Sequence, residues 1–380
     1  MDDAAAPVRV VLTGGGTGGH IYPALAIAAE LRGAEAVGYL GTDRGLEARV
    51  VPQAGIPFYP VPATGVLGKS PAAMARGAAT ALAGVVRAGG ILRQLRPDVV
   101  VGTGGYVTGP VGLAAALLGV SLFVLEENAR PGITNRMLAR FARHVAVPWA
   151  DAAGGFPASV RTKVVVTGNP VRREVVAADR GAARRALDLD PTAPVLFVVG
   201  GSQGAEAINE AVLSLVRDPS LWPEGAALVW ATGPRYYEGI VSRLSPLPAW
   251  ARVLAYVNDM PQAYAAADLV VSRAGAMTVA EVTARGVPAV LVPSPNVTGD
   301  HQTANARVLA ERGAAVLLPE ARLSDLAATV TALLGDPARR EAMAAASRAL
   351  GRPDAAATLA ALVVRDGARQ RAGAGGGAQP

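Results

Sequence analysis

The side chain best placed for chemistry is His20, which closes the glycine-rich run Thr13-Gly14-Gly15-Gly16-Thr17-Gly18-Gly19-His20 directly after the apolar run Val8–Leu12. Glycines at the start of a helix let backbone amides approach a phosphate or sugar closely. An imidazole there titrates near neutral pH and can take a proton from a hydroxyl. A second glycine turn, Gly200-Gly201-Ser202-Gln203-Gly204-Ala205, follows the apolar run Val195–Val199. Its amides suit a diphosphate, and Ser202 adds a hydroxyl donor. Farther on, Arg273-Ala274-Gly275-Ala276-Met277-Thr278-Val279-Ala280-Glu281 follows the strand-like Leu269–Val271 and opens another helix. There Thr278-x-x-Glu281 reads either as a capping box or as a carboxylate able to accept both hydroxyls of a ribose. Asp300-His301-Gln302 begins the next helix and offers amide and imidazole groups to a sugar.

These turns are punctuation in a regular rhythm. Strands are expected near 8–12, 36–41, 98–102, 121–125 and 144–147, then 164–167, 195–199, 227–231, 252–256, 269–271, 289–292 and 315–318, with helical patterns between them. The alternation predicts parallel α/β sheets. Because the strand, glycine turn and helix recur near the middle of the chain, the expectation is two Rossmann-like domains facing a cleft. The first spans 1–167 and the second 168–350, with the hinge at Gly168-Asn169-Pro170. Helical patterns at 337–350 and about 352–365 follow, the latter free to pack back on the first domain. The glycine- and alanine-rich segment 366–380 is expected to be a disordered tail.

Composition narrows the class. A chain of 380 residues, 51% apolar, with 44 Gly and 28 Pro, can bury two domain cores. Without cysteine there is no disulfide framework or thiolate nucleophile, which suits a reducing compartment. The opening residues run directly into a strand and lack the pattern of a signal peptide. The uncharged stretch Val99–Leu125 is long enough to cross a bilayer. Gly102, Gly104, Gly105, Gly109, Pro110 and Gly112 instead parse it as strand, loop, a helix over 113–118 and a second strand. Formal charge is +6, and Lys69 and Lys163 are the only lysines, so the cationic surface is arginine. Arginine favours phosphate contacts. Only 4% of residues are aromatic and no recognition motif appears, so nucleic acid is not an expected partner. An anionic membrane surface or a phosphorylated substrate fits better.

Two strings match the patterns of other chemistries. Gly14-x-Gly16-x-x-Gly19 satisfies the dinucleotide fingerprint, but the acid that should end the next strand is misplaced: Glu35 precedes that strand and Asp43 lies beyond it. Asp188-Leu189-Asp190 resembles a metal-holding Asp-x-Asp string. It precedes the strand at 195–199, at the amino edge of its sheet, and reads as a solvated turn. Three scattered histidines suggest no metal set.

Taken in order, Gly14–His20, Gly104-Gly105-Tyr106-Val107-Thr108-Gly109-Pro110, Glu126-Glu127-Asn128, Thr134-Asn135, Gly168-Asn169-Pro170-Val171-Arg172, Gly200–Ala205 and Asp300-His301-Gln302 closely resemble the MurG family, over nearly the whole chain. The resemblance implies a GT-B glycosyltransferase without metal or other cofactor, peripheral on the cytoplasmic face of the membrane. It would transfer N-acetylglucosamine from UDP-GlcNAc, with inversion, to the C4 hydroxyl of the muramic acid unit of lipid I, giving lipid II. A GT-B transferase with another lipid acceptor, a related UDP-GlcNAc epimerase, a nicotinamide dehydrogenase and a non-catalytic sugar-nucleotide binder are the rival readings.

Carried over by position, the donor would be held by Thr17, Gly18, Gly19, Asn128, Arg172, Ser202, Ala276, Met277, Thr278, Val279, Ala280, Glu281 and Gln302, with Val257 beside the uracil and Glu281 on the ribose. His20 is the candidate base and Glu126 the reserve. Tyr106 and Asn135 join them on the acceptor side. One departure stands out: many members read His-Glu-Gln-Asn where this chain has Leu125-Glu126-Glu127-Asn128, so the family's histidine is dispensable here or its role has shifted. The segment Val66–Arg96 mixes Leu67, Met74, Leu82, Val85, Val86, Ile91, Leu92 and Leu95 with Lys69, Arg76, Arg87, Arg93 and Arg96. It is expected to touch an anionic membrane.

Overall fold

The structure is a computed structural model that describes residues 6–65, 71–218 and 220–375. It divides into two compact units, residues 1–172 with 354–380, and residues 173–353. Each is built on a parallel sheet, because the central strands are buried on both faces and the crossover helices must cover them. In the first unit β1 (Val8–Thr13), β2 (Ala34–Gly41), β3 (Phe58–Pro60), β4 (Val99–Gly102), β5 (Ser121–Leu125), β6 (His144–Val147) and β7 (Val164–Val166) lie in the order β3-β2-β1-β4-β5-β6-β7. In the second, β8 (Val195–Val199), β9 (Ala227–Ala231), β10 (Ala251–Leu254), β11 (Leu269–Ser272), β12 (Ala289–Leu291) and β13 (Ala315–Leu317) lie in the order β10-β9-β8-β11-β12-β13. The short β3 has no counterpart in the expected strands; it forms by pairing Tyr39 with Phe58 along β2.

Both orders reverse direction once, between β1 and β4 and between β8 and β11. At such a switch point the loops leave the sheet on opposite sides and open a crevice beyond the carboxyl ends of the strands, where ligands of this fold class bind. The registers put the two loops of each crevice level: Thr13 lies beside Gly102, and Val199 beside Ser272. The uncharged stretch 99–125 is β4, a helix at Thr108–Leu117 and β5. This helix starts earlier than the expected 113–118 because Pro110 falls in its first turn, where proline is tolerated. Among the described residues, no helix is long and apolar enough to cross a membrane.

The disordered tail expected at 366–380 is corrected over most of its length. The helix Ala355–Gly375 continues ten residues beyond Arg365, and only residues 376–380 lie outside the described residues. It belongs to the first unit, where Leu359, Ala360 and Val363 are buried with Val8, Val10, Val99 and Phe123. Low complexity misled because the anchors are a few polar residues. Asp366 is fully buried, 3.1 Å from His144 Nε2 and 3.5 Å from Arg143 Nε. Arg371 pairs with Asp98 at 2.6 Å, and Gln370 Nε2 donates to the Gly119 carbonyl at 2.9 Å.

Removing one partner of a buried pair strands the other. His144→Ala would leave the fully buried Asp366 carboxylate without its nearest partner and is therefore expected to cost the first unit about 3 kcal/mol in urea unfolding, whereas Arg371→Ala, at the surface, costs less than about 1 kcal/mol.

Candidate active site

In the first unit the crevice is formed by the loops after β1 and β4. They touch backbone to backbone. A side chain on Gly105, whose φ is +81°, would collide with the Gly15 carbonyl, and one on Gly104, with φ +109°, would come within 2.6 Å of His20 Nδ1. Glycine is thus required at both positions if the imidazole is to sit between the loops. Thr103 Oγ1 donates to the His20 carbonyl at 2.6 Å, and the Tyr39 hydroxyl donates to the Gly14 carbonyl at 2.9 Å. Thr17 is the N-cap of the helix Gly18–Ala29 but its side chain makes no cap bond. The loop is therefore braced from beneath, by buried side chains of β2 and the β4 loop.

The His20 ring lies at the end of that brace, 28% exposed. Its Nδ1 is 3.1 Å from the Thr103 carbonyl and 3.0 Å from Glu127 Oε2. Since the carbonyl can only accept, the proton of the neutral ring belongs on Nδ1, leaving the Nε2 lone pair available as a base. Glu127 is 3% exposed. Burial pushes its carboxyl up to about 7, against the charge and hydrogen bond of His20, with the Glu126 charge adding to the rise. Burial works to lower the His20 pKa, but the charge and hydrogen bond of Glu127, then the Glu126 charge and the Thr103 carbonyl, outweigh it and the net shift is upward. The hydrogen bond couples the two groups, so the protonation of each depends on the other. Nothing in the spacing singled out Glu127 as the histidine's partner; the only trace is that it stands where many family members have glutamine.

Glu126 has different neighbours. Its Oε1 accepts from Asn128 N at 2.9 Å and Asn128 Nδ2 at 3.2 Å, and its Oε2 from Gly132 N and Asn135 Nδ2, both at 2.9 Å. Four donors match the acceptor capacity of a carboxylate. With these bonds Glu126 staples the loop 126–135, and the carboxylate beside His20 is its neighbour Glu127. Asn135, expected to face an acceptor, is buried, with Nδ2 also donating to the Leu125 carbonyl at 3.1 Å. Tyr106 stands 65% exposed at the rim. The Arg172 guanidinium lies 5.3 Å above the Tyr22 ring in the same unit.

In the second unit the crevice lies beyond β8 and β11. The turn Gly200–Ala205 leads into the helix Glu206–Arg217, whose N-cap Ala205 provides no side-chain cap, and Ser202 is exposed on the turn. Ser272 Oγ donates to the Val199 carbonyl at 2.7 Å and locks the two strand ends together. The helix Ala276–Arg285 starts from Gly275, also without a side-chain cap. Thr278 is its third residue and Glu281 its sixth, so the capping-box reading fails because the helix begins too early. Val279 and Ala280 are buried, and the Val279 amide is already bonded to the Gly275 carbonyl at 3.0 Å. The side chains of these two pack the helix on the sheet, while Ala276, Met277, Thr278 and Glu281 are partly exposed. Val257 is 9% exposed. Gln302 Oε1 accepts from Ser294 N at 2.8 Å, Asn305 Nδ2 donates to the Ala274 carbonyl at 3.2 Å, and Arg273 pairs with Glu320 at 2.5 Å, which braces the loops after β11, β12 and β13. Asp188 and Asp190 lie apart from this crevice, Asp188 paired with Arg252 at 2.8 Å and Asp190 accepting from Thr192.

Of the expected membrane segment, Val66, Leu67 and Lys69 fall outside the described residues. In the helix Pro71–Leu95, the side chains of Ile91, Leu92 and Leu95 are buried in the core, which turns them away from any surface, and Val85 is partly buried against it. Met74, Leu82 and Val86 are 48, 66 and 71% exposed, and Arg76, Arg87, Arg93 and Arg96 are exposed on the same segment.

Two Rossmann-like units, each with a helix-terminus crevice at its switch point, define the GT-B class of glycosyltransferases. The chain matches the glycosyltransferase family 28 N-terminal domain over residues 10–147 and the corresponding C-terminal domain over 195–359. It is 46% identical to a UDP-N-acetylglucosamine–N-acetylmuramyl-(pentapeptide) pyrophosphoryl-undecaprenol N-acetylglucosamine transferase of Desulforudis audaxviator, covering 92% of this chain and 95% of that protein. The protein of the same name from Symbiobacterium thermophilum is 44% identical, covering 94% and 96%. The crystal structure of Acinetobacter baumannii MurG matches with a TM-score of 0.75 at 33% identity, over 94% of this chain and all of that one. The chain belongs to the MurG family of N-acetylglucosaminyltransferases. A UDP-GlcNAc 2-epimerase of Neisseria meningitidis, at 15% identity and TM-score 0.67 over 94% of this chain and all of that one, shares the fold.

The coupling of His20 to Glu127 is open to NMR. In a titration of the ring nitrogens, wild-type His20 is expected to titrate above its ordinary 6.5. Glu127→Gln removes the charge that raises it while burial still lowers it, so the midpoint should fall by at least about one unit.

Proposed function

We propose that this protein transfers N-acetylglucosamine from UDP-GlcNAc to the C4 hydroxyl of the muramic acid unit of lipid I, with inversion at C1, to give lipid II. The observation that carries the mechanism is the His20 imidazole, held by Nδ1 between Thr103 and Glu127 with Nε2 left as the base. His20 Nε2 takes the proton of the attacking hydroxyl as the bond from that oxygen to C1 forms and the bond from C1 to the diphosphate oxygen breaks. Glu127 stabilises the imidazolium that results. The departing UDP gains negative charge, and uncapped helix starts are the groups suited to meet it: Ser202 to Ala205 before one helix, Ala276 to Thr278 in another. Glu281 is assigned to the ribose, Gln302 to the sugar and Val257 to the border of the uracil pocket. In the first unit Thr17, Gly18 and Gly19 supply amides, Tyr106 and Arg172 line the acceptor side, and Asn128 and Asn135 act through the Glu126 staple.

A polyprenyl-linked acceptor requires contact with a bilayer, and the exposed face bearing Met74, Leu82 and Val86 among arginines is suited to an anionic cytoplasmic surface. The protein would act there as a peripheral enzyme.

In a transfer assay with UDP-GlcNAc and a lipid I analogue, run in EDTA, the wild-type protein is expected to form lipid II, and His20→Ala to lose between about a hundredfold and ten-thousandfold in kcat. Wild type that binds UDP yet transfers nothing would sink the reading. Because the base must be unprotonated, kcat/KM should rise with pH through the apparent pKa of the pair and be lost below it. Glu127→Gln moves that limb to lower pH.

For the membrane face, Leu82→Glu with Val86→Glu should weaken co-sedimentation with vesicles containing anionic phospholipid and leave transfer to a short-chain, water-soluble acceptor within about twofold. Unchanged sedimentation would move the membrane contact elsewhere.

A further inference from the structure

A second carboxylate lies under the glycine loop and has no part in the chemistry proposed above. Glu47, the first residue of the helix Glu47–Gln53, is fully buried. Its Oε1 accepts from Thr42 Oγ1 at 2.6 Å and Thr42 N at 3.1 Å, and its Oε2 accepts from Gly16 N at 3.2 Å. Among the described residues it forms no ion pair, so hydrogen bonds alone offset its desolvation. Backbone crowds around it: side chains on Gly15 or Gly45 would land on its carboxylate oxygens. A buried acid without a cation is costly to keep, and these glycines leave room for nothing bulkier than backbone.

What the bond to Gly16 does follows from where the other braces act. Tyr39 holds the loop at Gly14 and Thr103 holds it at His20. Between them Gly16 is the exposed apex, with φ at +89° and nothing within 4 Å of where a side chain would stand. Glu47 is the group that ties this apex down. From Gly16 the chain passes directly through Thr17, Gly18 and Gly19, the open first turn of the helix, to His20.

We propose that Glu47 is a positioning residue: by accepting the Gly16 amide it fixes the apex of the glycine loop, and with it the Gly18 and Gly19 amides and the imidazole of His20. This rests on the reading of His20 as the base, but it makes a structural claim that can be tested without substrate.

The test compares Glu47→Gln with Thr42→Ala. A glutamine has the same shape but one carbonyl oxygen, which cannot serve Thr42 and Gly16 together, so an amide donor meets a donor at one of them. Thr42→Ala removes a bond to the same carboxylate and leaves the tie to Gly16. Amide hydrogen exchange in the free protein and steady-state transfer kinetics are the readouts. For Glu47→Gln we expect exchange at Gly16, His20 and Ile21, whose amides are hydrogen-bonded in the loop, to accelerate at least tenfold and kcat to fall at least tenfold, with KM for UDP-GlcNAc raised as well because the Gly18 and Gly19 amides are assigned to the donor. Thr42→Ala should stay within threefold on each measure. Wild-type exchange and kcat in Glu47→Gln would overturn the proposal, as would equal losses in both variants, which would mean general packing. If Glu47→Gln does not fold, Glu47→Asp, which draws the charge back by one methylene, carries the same expectations. Faster exchange in a protein whose wild type transfers nothing would support the brace while rejecting the activity.

Discussion

The loops after β1 and β4 meet backbone to backbone at the switch point of the first sheet, and that approach sets the position of everything reactive nearby. Gly105 lies on Gly15, and Gly104 lies against the edge of the His20 ring. A methyl group at either place would force the loops apart. With them apart, the imidazole would lose the Thr103 carbonyl that determines which of its nitrogens carries the proton. The glycines therefore act twice: they open amides toward a ligand, and they bring a histidine that follows β1 and a carbonyl that follows β4 into hydrogen-bonding range.

Three carboxylates are buried around this point, and each is kept by a different device. Glu127 is hydrogen-bonded to His20, and burial pushes its carboxyl up to about 7 against the pull of that histidine. Glu126 accepts four hydrogen bonds and holds the loop that follows β5. Glu47 accepts three and holds the loop that follows β1. In a low-dielectric interior an acid without such partners would be costly, so the spread of partners explains why three acids close together serve different ends. The second unit follows another logic. Its crevice is edged by helix starts without side-chain caps and is braced by neutral hydrogen bonds and the Arg273–Glu320 pair. Dipoles at a crevice of that kind favour an anion with little reorganisation when charge develops.

The sequence carried most of the architecture because its signals were local. Five-residue apolar runs ending in glycine turns announced β1 and β8, and the alternation announced parallel sheets, since a strand buried on both faces must be apolar throughout. The same local reading failed where the determinants were distant. A tail rich in alanine and glycine is a helix because Asp366 meets His144 and Arg371 meets Asp98, contacts separated by more than two hundred residues. Thr278 and Glu281 matched a capping pattern by spacing, yet the helix starts two residues before Thr278, at Ala276. In the segment 71–95, heptad-like apolar spacing gave no means of telling Leu92, in the core, from Leu82, in solvent.

What the sequence determined by itself was therefore the sheet-and-turn plan, the catalytic histidine candidate and the family pattern, all of which depend on residues adjacent along the chain. The tertiary structure decided which carboxylate meets that histidine, which one holds its loop, and which end of the chain completes the first unit. Those outcomes depend on pairs brought together by strand order, and on burial, which turns a chemically ordinary glutamate into a histidine's partner, a staple or a brace according to the donors within 3.2 Å of it.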